Sequence, residues 1–437
     1  MTETRTRSLV AYAGGSIGMG VWVTVPGLLL LYFLTHTLGV SPLLAGLTLL
    51  LPKIIDVIVH PYLGSRSDQA ARRTGDRLGM LRFGLLLAVA MAGMFTVPAA
   101  LTGPAAALWV GAWFIAGNLL FACFQVPYLT TPSDLEVGYH ERTRVFMFRM
   151  LFLTLGLLGA GVAAPALVAA GERGDYARMA LLLSGVMVVS GLVAITGVRR
   201  LTAEAGFRTP GQESHSTIAD IAVAWRDRDF RALVLSYLFT GTTTHLFLAA
   251  LPFYTEYVFS DSKLTAVFMG AFLGPAVFAG PIWAKVSRRI GKQRGLLICQ
   301  VTFVIGSLAP LLGYGLVPAV AVVVVLGIAF AGLQLFAFSM VPDAVAAASA
   351  LAGARAGAYT GVWTATEATG TAIGPYVYSA VLAAGGFLAT TEGHTVTQPE
   401  SARTALLIGF TVVPAVLMAA AVAFQLRWTL DRARVAT

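Results

Sequence analysis

Charged side chains are scarce in this chain: Asp, Glu, Lys and Arg make up 12% of its 437 residues, about half the share of an ordinary soluble domain. With 57% hydrophobic residues and a mean hydropathy of +0.78, that scarcity excludes a water-soluble globular fold. Cysteine is rarer still. Cys123 and Cys299 both lie in apolar runs, which points to packing rather than to a disulfide. Six histidines are scattered from His36 to His394, and HExxH and paired CxxC motifs are missing, so an enzyme, a metal centre and a bound cofactor are not expected. There is no GxxxxGK[ST] loop either, so energy must come from a gradient rather than from ATP.

Long apolar runs are what the sequence has in abundance. A hydrocarbon core about 30 Å thick needs about 20 apolar residues per helical crossing. Twelve such runs recur, at 9–35, 41–64, 80–101, 105–130, 145–170, 177–198, 232–257, 264–286, 296–316, 318–341, 357–384 and 404–426. Weak alternation with plentiful Gly and Ala argues for helices rather than a barrel. Arg5 and Arg7 before the first run imitate a signal peptide, but no small-residue cleavage site is followed by a soluble domain, so the run is read as a span.

The formal charge of +9 is divided among short loops instead of forming a basic domain, which argues against nucleic acid as a partner. With both termini inside, most basic residues fall on the inner side, and only Arg173, Arg178, Lys263 and Arg403 fall outside. That bias obeys the positive-inside rule and predicts cytoplasmic ends. The chain is expected to be a monomer in the bacterial cytoplasmic membrane.

The longest polar segment, 199–231, separates six runs (1–198) from six more (232–437). Within it Ile218, Ile221, Ala222 and Trp225 recur at helical spacing, which suits either an amphipathic surface helix or a solvated linker. The halves echo each other. Gly64-Ser65-Arg66-Ser67-Asp68 with Arg72-Arg73 follows the second run, and Gly280-Pro281-Ile282-Trp283-Ala284-Lys285 with Arg288-Arg289 follows the eighth. Repeated halves of this kind predict two pseudo-symmetric six-helix bundles that rock around a midplane site. Asp68, Arg72, Arg73, Arg142, Arg144, Arg288 and Arg289 are the candidates for locking the inner face.

An acid inside an apolar run is the strongest sign of a pathway. Keeping Asp56 there costs about 2.5 to 3.5 kcal/mol on insertion scales. Asp56 and His60 stand at i and i+4, on one helical face. The run Asp56 to Asp68 resembles the second-helix signature of the glycoside–pentoside–hexuronide:cation symporters, the melibiose-permease-like branch of the major facilitator superfamily. Val126-Pro127-Tyr128 through Arg149-Met150 is similar to that family's fourth-to-fifth-helix segment, and Arg355 to Glu367 to its eleventh helix. The resemblance covers essentially the whole chain and implies the major facilitator fold and secondary active transport of a small organic solute.

The departures from that family bear on ion and cargo. His60 stands where sodium-coupled members carry a second carboxylate, and Val59 where they carry asparagine. Ala122 replaces a cation-liganding threonine, Gln125 a sugar-binding acid and Leu129 a sugar-stacking tryptophan. Met19-Gly20 replaces a lysine–acid pair, and Ala368 a lysine. Sodium needs several oxygen ligands, whereas an imidazole titrates near neutral pH. Proton coupling through Asp56 and His60 is therefore favoured over sodium, against the plainer reading of Asp56 as an internal ion pair with Lys53 or His60.

Cargo contacts are expected from three places. Tyr359, Trp363 and Glu367 form an i, i+4, i+8 stripe flanked by Thr360 and Thr364, which either lines the cavity or packs. Asn118 and Gln125, seven apart, share a face and offer neutral hydrogen bonds. Arg149 lies far enough into the fifth helix to reach the cavity, and by resemblance would bind substrate, unless it snorkels to the interface. Thr243, in a threonine-rich stretch of the seventh helix, either lines the cavity or bonds back to its own helix. Loss of the sugar-specific groups leaves an exporter of amphipathic compounds and a carrier of lipid-like substrates as alternatives.

Overall fold

The computed structural model describes residues 5–137, 139–168, 171–207, 222, 224–313, 315–352, 356–394 and 396–430. Its helices are α1 Thr6–Tyr32, continued by a π turn Phe33–Thr37, α2 Pro42–Thr74, α3 Leu78–Phe83 and α4 Leu87–Phe95, which a 3-10 turn joins into one run, α5 Gly103–Asp134, α6 Tyr139–Leu167 and α7 Arg173–Ala205. Then follow α8 Arg228–Phe259, α9 Leu264–Ile290, α10 Lys292–Leu308, α11 Leu316–Ala352, α12 Ala356–Ala384, and the consecutive α13 Glu400–Phe410 and α14 Val412–Gln425. These make six helical passes in each half. Ten of the runs are long and apolar enough to cross a membrane among the described residues, and α2 and α12, at 33 and 29 residues, exceed the length one crossing needs. The protein is an integral multi-pass membrane protein of all-α architecture, as its hydropathy predicts.

Contacts divide the chain into two compact units, Met1–Glu213 with Ala389–Val396, and Ser214–Leu388 with Thr397–Thr437. In the first unit α1 packs on α6 and α7, α2 on α5, and α4 on α5 and α7. In the second, α8 packs on α12 and α14, α9 on α11, and α10 on α11 and α14. Counted as passes, these are the same five pairings, so the repeat read in the loops extends to the packing. Of the linker expected at 199–231, residues 208–221 and 223 lie outside the described residues, Ile218 and Ile221 among them; its first residues belong to α7 and its last to α8, and Trp225 is exposed.

Small residues set how closely the central helices approach. A Cβ on Gly20 of α1 would lie 2.7 Å from the backbone of Gly156 and Leu157 in α6, and one on Gly374 of α12 would lie 2.6 Å from the Leu246 nitrogen of α8. Without side chains at these crossings the helices meet backbone to backbone. Cys123 and Cys299 are both free and buried.

One element of the first unit comes from far along the chain. Leu38 and Thr391 form an antiparallel bridge. The Thr390 amide donates to the Thr35 carbonyl at 2.9 Å, the Glu392 amide to Thr37 at 3.1 Å, and the Thr390 hydroxyl to the His36 carbonyl at 2.7 Å. Arg173 adds an ion pair to Glu392 at 3.4 Å. Carbonyls released where α1 ends thus find donors from Ala389–Val396.

Candidate functional site

In the first unit the polar interior is built by α2 and α5. Asp56 is 6% exposed, and Lys53, one turn earlier, holds its Nζ 4.0 Å from the Asp56 Oδ2. The same ammonium donates to the Asn118 Oδ1 at 2.8 Å and lies 5.7 Å from the centre of the Phe114 ring. Asn118 is itself fixed, because its Nδ2 donates to the Phe114 carbonyl at 2.8 Å. Asn118 is therefore committed to Lys53 rather than free to meet a solute. Gln125 is half-buried two turns further along α5. His60 follows Asp56 by one turn on α2, and its side chain lies outside the described residues.

Arg149 projects from α6. Its guanidinium stacks over Phe146 at 5.2 Å, and its Nε is buried without a hydrogen-bond partner. Nearby, Tyr12 and Tyr128 stack at 4.7 Å and exchange hydrogen bonds with each other's carbonyls at 2.9 and 2.7 Å. Ser16 sits in Gly14-Gly15-Ser16-Ile17-Gly18, which has the spacing of a hydrolase nucleophile motif. It lies in mid-helix, and its hydroxyl is engaged by the Tyr128 hydroxyl at 2.9 Å, so the strand-to-helix elbow such a nucleophile needs is missing.

In the second unit Trp363 of α12 stacks on Tyr237 of α8 at 4.2 Å, and Phe338 of α11 meets both edge-on at 5.4 and 5.8 Å. The Tyr237 hydroxyl pairs with the Gln334 Oε1 at 3.1 Å. The Trp363 indole N–H is buried and has no partner. Glu367 is half-buried one turn on, and beyond it Thr371 meets His245 Nε2 at 3.4 Å.

The rest of the expected stripe divides. Tyr359 gives its hydroxyl to Asp227 at 3.2 Å and packs on Phe230 at 4.5 Å. Asp227 at the same time caps α8, accepting from the Asp229 and Phe230 amides. Tyr359 thus ties α12 to the start of α8, one turn before the Trp363 shelf. Thr243 is fully buried and donates to the Phe239 carbonyl at 2.8 Å; of the two readings of that threonine stretch, the hydroxyl takes the one that turns back on its own helix.

At the loop ends a further cation stands beside the expected arginines. Arg72 and Arg73 lie exposed in the last turn of α2, and Arg288 and Arg289 in that of α9. The buried cation is Arg77. Its Nε holds Asp134 at 2.6 Å, its Nη1 holds Asp68 at 2.7 Å, and Nη1 also donates to Ser67 at 2.8 Å. Burial alone would lower the guanidinium's pKa, but hydrogen bonds and charge from Asp134 and Asp68 outweigh it and raise the value. For Asp134 burial prevails over the lowering effect of Arg77, and its pKa lies above the ordinary carboxylate value. The second unit repeats the device with Lys292, which holds Asp343 at 2.6 Å and the Ser339 carbonyl at 2.9 Å. In both halves the cation opening the third pass meets an acid late in the fourth. Arg142 donates to the Pro132 carbonyl at 3.2 Å and braces the turn between α5 and α6, whereas Arg144 pairs with Glu141 on its own helix at 3.2 Å and donates to the Thr6 hydroxyl at 2.9 Å, at the start of α1.

Residues 11–432 match the family described as MFS/sugar transport protein. The chain belongs to this family. It is 30% identical over 149 residues to an uncharacterised symporter of Synechocystis, covering 33% of this chain and 27% of that one. To the isoprimeverose transporter of Lactiplantibacillus pentosus it is 25% identical, covering 64% and 58%, so the matched part spans well under two thirds of either relative. The sodium-dependent lysophosphatidylcholine symporter 1 of mouse is 22% identical, over 77% of this chain and 69% of that one. Among solved structures, a bacterial homologue of the human lysosomal transporter Spinster, inward-facing and unoccupied, superposes with a TM-score of 0.69 at 14% identity, covering 98% of both chains.

Proposed function

We propose that the protein is a secondary active transporter that carries a small organic solute by alternating access, in symport with protons taken at Asp56 and His60. The solute is a sugar, a glycoside or a related amphipathic compound. The observation that carries this reading is a carboxylate kept inside α2 together with an aromatic shelf whose indole N–H is left to donate. A buried donor without a protein partner is costly unless a ligand supplies the acceptor. The Trp363–Tyr237–Phe338 surface suits the apolar face of a ring or chain, and Glu367, Gln125 and Arg149 offer polar contacts beside their helices. A bacterial ferroportin homologue of the same fold is known both inward- and outward-facing, which supports alternation.

The Gly20–Gly156 crossing favours a second cargo class. It leaves no room for an acid on α1 that could hold sugar hydroxyls, and a lipid-like cargo, moved in either direction, needs no such acid. The orientation follows the basic loops, with both termini cytoplasmic in a bacterial inner membrane. The transporter works as a monomer, without cofactor or nucleic acid.

Uptake into proteoliposomes under an inward proton gradient tests the reading, with labelled glycosides and lysolipids as cargo. Accumulation should collapse with a protonophore and be lost in Asp56→Asn. Accumulation that ignores the protonophore and requires sodium would refute the proton assignment.

A further inference from the structure

The cation place beside Asp56 is filled by the chain itself. A sodium ion needs several oxygens around it. Here the ammonium of Lys53 lies 4.0 Å from the Asp56 carboxylate and donates to the amide oxygen of Asn118 at 2.8 Å. Asn118 is 1% exposed and anchored to the Phe114 carbonyl, so the acceptor is held in place. The Phe114 ring at 5.7 Å completes a cradle suited to an ammonium.

Charge balance points the same way. Between Ser8 and Tyr32 α1 has no Asp, Glu, Lys, Arg or His, and neither has α5 between Gly103 and Ser133. These helices pack on α2 and bring no further charge to the pair. Further titratable residues are His60, one turn after Asp56 on α2 itself, and His36 in the π turn, which stacks on Tyr32 at 4.6 Å. One ammonium and one carboxylate sum to zero, so no metal ion is needed to balance the buried carboxylate.

We infer that Lys53 is a tethered counter-cation that occupies the ion position at Asp56, so that the transport cycle runs without sodium. The inference rests on the reading of Asp56 as the coupling carboxylate and deepens it. Asp56 is neutralised either by this internal ammonium or by the incoming proton, and Lys53 keeps its bond to Asn118 when the proton arrives.

The test reads ligand-free thermal stability of the purified protein in sodium chloride against choline chloride at one pH. The wild type should show no difference. Lys53→Met, which removes the ammonium and keeps the apolar stem, should gain a sodium-specific rise of about 3 °C at a saturating concentration. Lys53→Met/Asp56→Asn should lose that rise again. A sodium-specific shift in the wild type that Asp56→Asn abolishes would overturn the inference, and so would a cooperatively melting Lys53→Met that ignores sodium. If Lys53→Met does not fold, Lys53→Gln takes its place, and the wild-type titration decides by itself whether the position is open to the metal. No cargo is present, so an error in the proposed cargo or in transport itself would show in the uptake experiment and leave this readout unchanged.

Discussion

Replacing Arg77 with methionine removes the one cation that Asp134 and Asp68 share. At 2.6 Å and an effective dielectric of 20, a unit charge pair gains about 6 kcal/mol, and most of that offsets the several kcal/mol each ion loses on leaving water. The intact pair therefore adds little net stability. Its loss does not, because Asp134 is 7% exposed and would be stranded, at a cost of about 3 to 5 kcal/mol. Asp68 is 42% exposed; water screens it, and it adds no more than about 1 kcal/mol. For a unit of this size the melting temperature in detergent should fall by roughly 10 °C. Asp134→Asn in the same chain should recover most of the fall. The deficit should also depend on pH. Burial already lifts Asp134 above its ordinary value, and without the guanidinium it rises further. A carboxylate whose folded pKa exceeds its unfolded one contributes stability below the unfolded value and loses it as pH rises through the folded value. The Arg77→Met deficit should therefore narrow on acidification from neutral pH toward the ordinary carboxylate range. A fall of less than about 2 °C, or a deficit equal at both pH values, would refute the argument.

Further outcomes follow from single contacts. Gly20→Val should cost more than about 3 kcal/mol and yield little monodisperse protein by size-exclusion chromatography, since its Cβ meets α6 backbone rather than a movable side chain. Trp363→Phe preserves a ring to stack on Tyr237 while deleting the N–H; KM for cargo should rise about 5- to 10-fold with the melting temperature almost unchanged. Tyr359→Phe loses the bond to Asp227 and should lower stability by about 0.5 to 1.5 kcal/mol without moving KM, the reverse pattern to Trp363→Phe.

The twelve passes were readable because lipid imposes a length and a composition that few other environments do. Side-chain direction was not readable in the same way. The i, i+4, i+8 spacing places Tyr359 and Trp363 on one face, yet it is silent on Asp227, which lies 132 positions before Tyr359 and claims its hydroxyl. Thr243 had two available partners, a solute or its own helix, and only the packing of α8 decides between them. The arginine pairs at the ends of α2 and α9 drew attention by their number, while the cations paired with an acid of another pass are those that follow, Arg77 buried and Lys292 half-buried. A local signal does exist: a glycine with positive φ ends each helix, Gly75 at 74° and Gly291 at 90°, and the first basic residue after it, Arg77 or Lys292, starts the next helix facing inward. The acids they meet, 57 and 51 residues away, belong to other passes and could be found only in three dimensions.

The segment Ala389–Val396 carries a practical warning for anyone labelling this protein. A connector between two late helices is the usual place for a fluorophore, an epitope or a cleavage site, on the assumption that nothing depends on it. Here an insertion between Leu388 and Thr397 would compete with the amide and hydroxyl donors that finish the first helix, and a dye attached there would report on the opposite end of the sequence from the one to which it was tied.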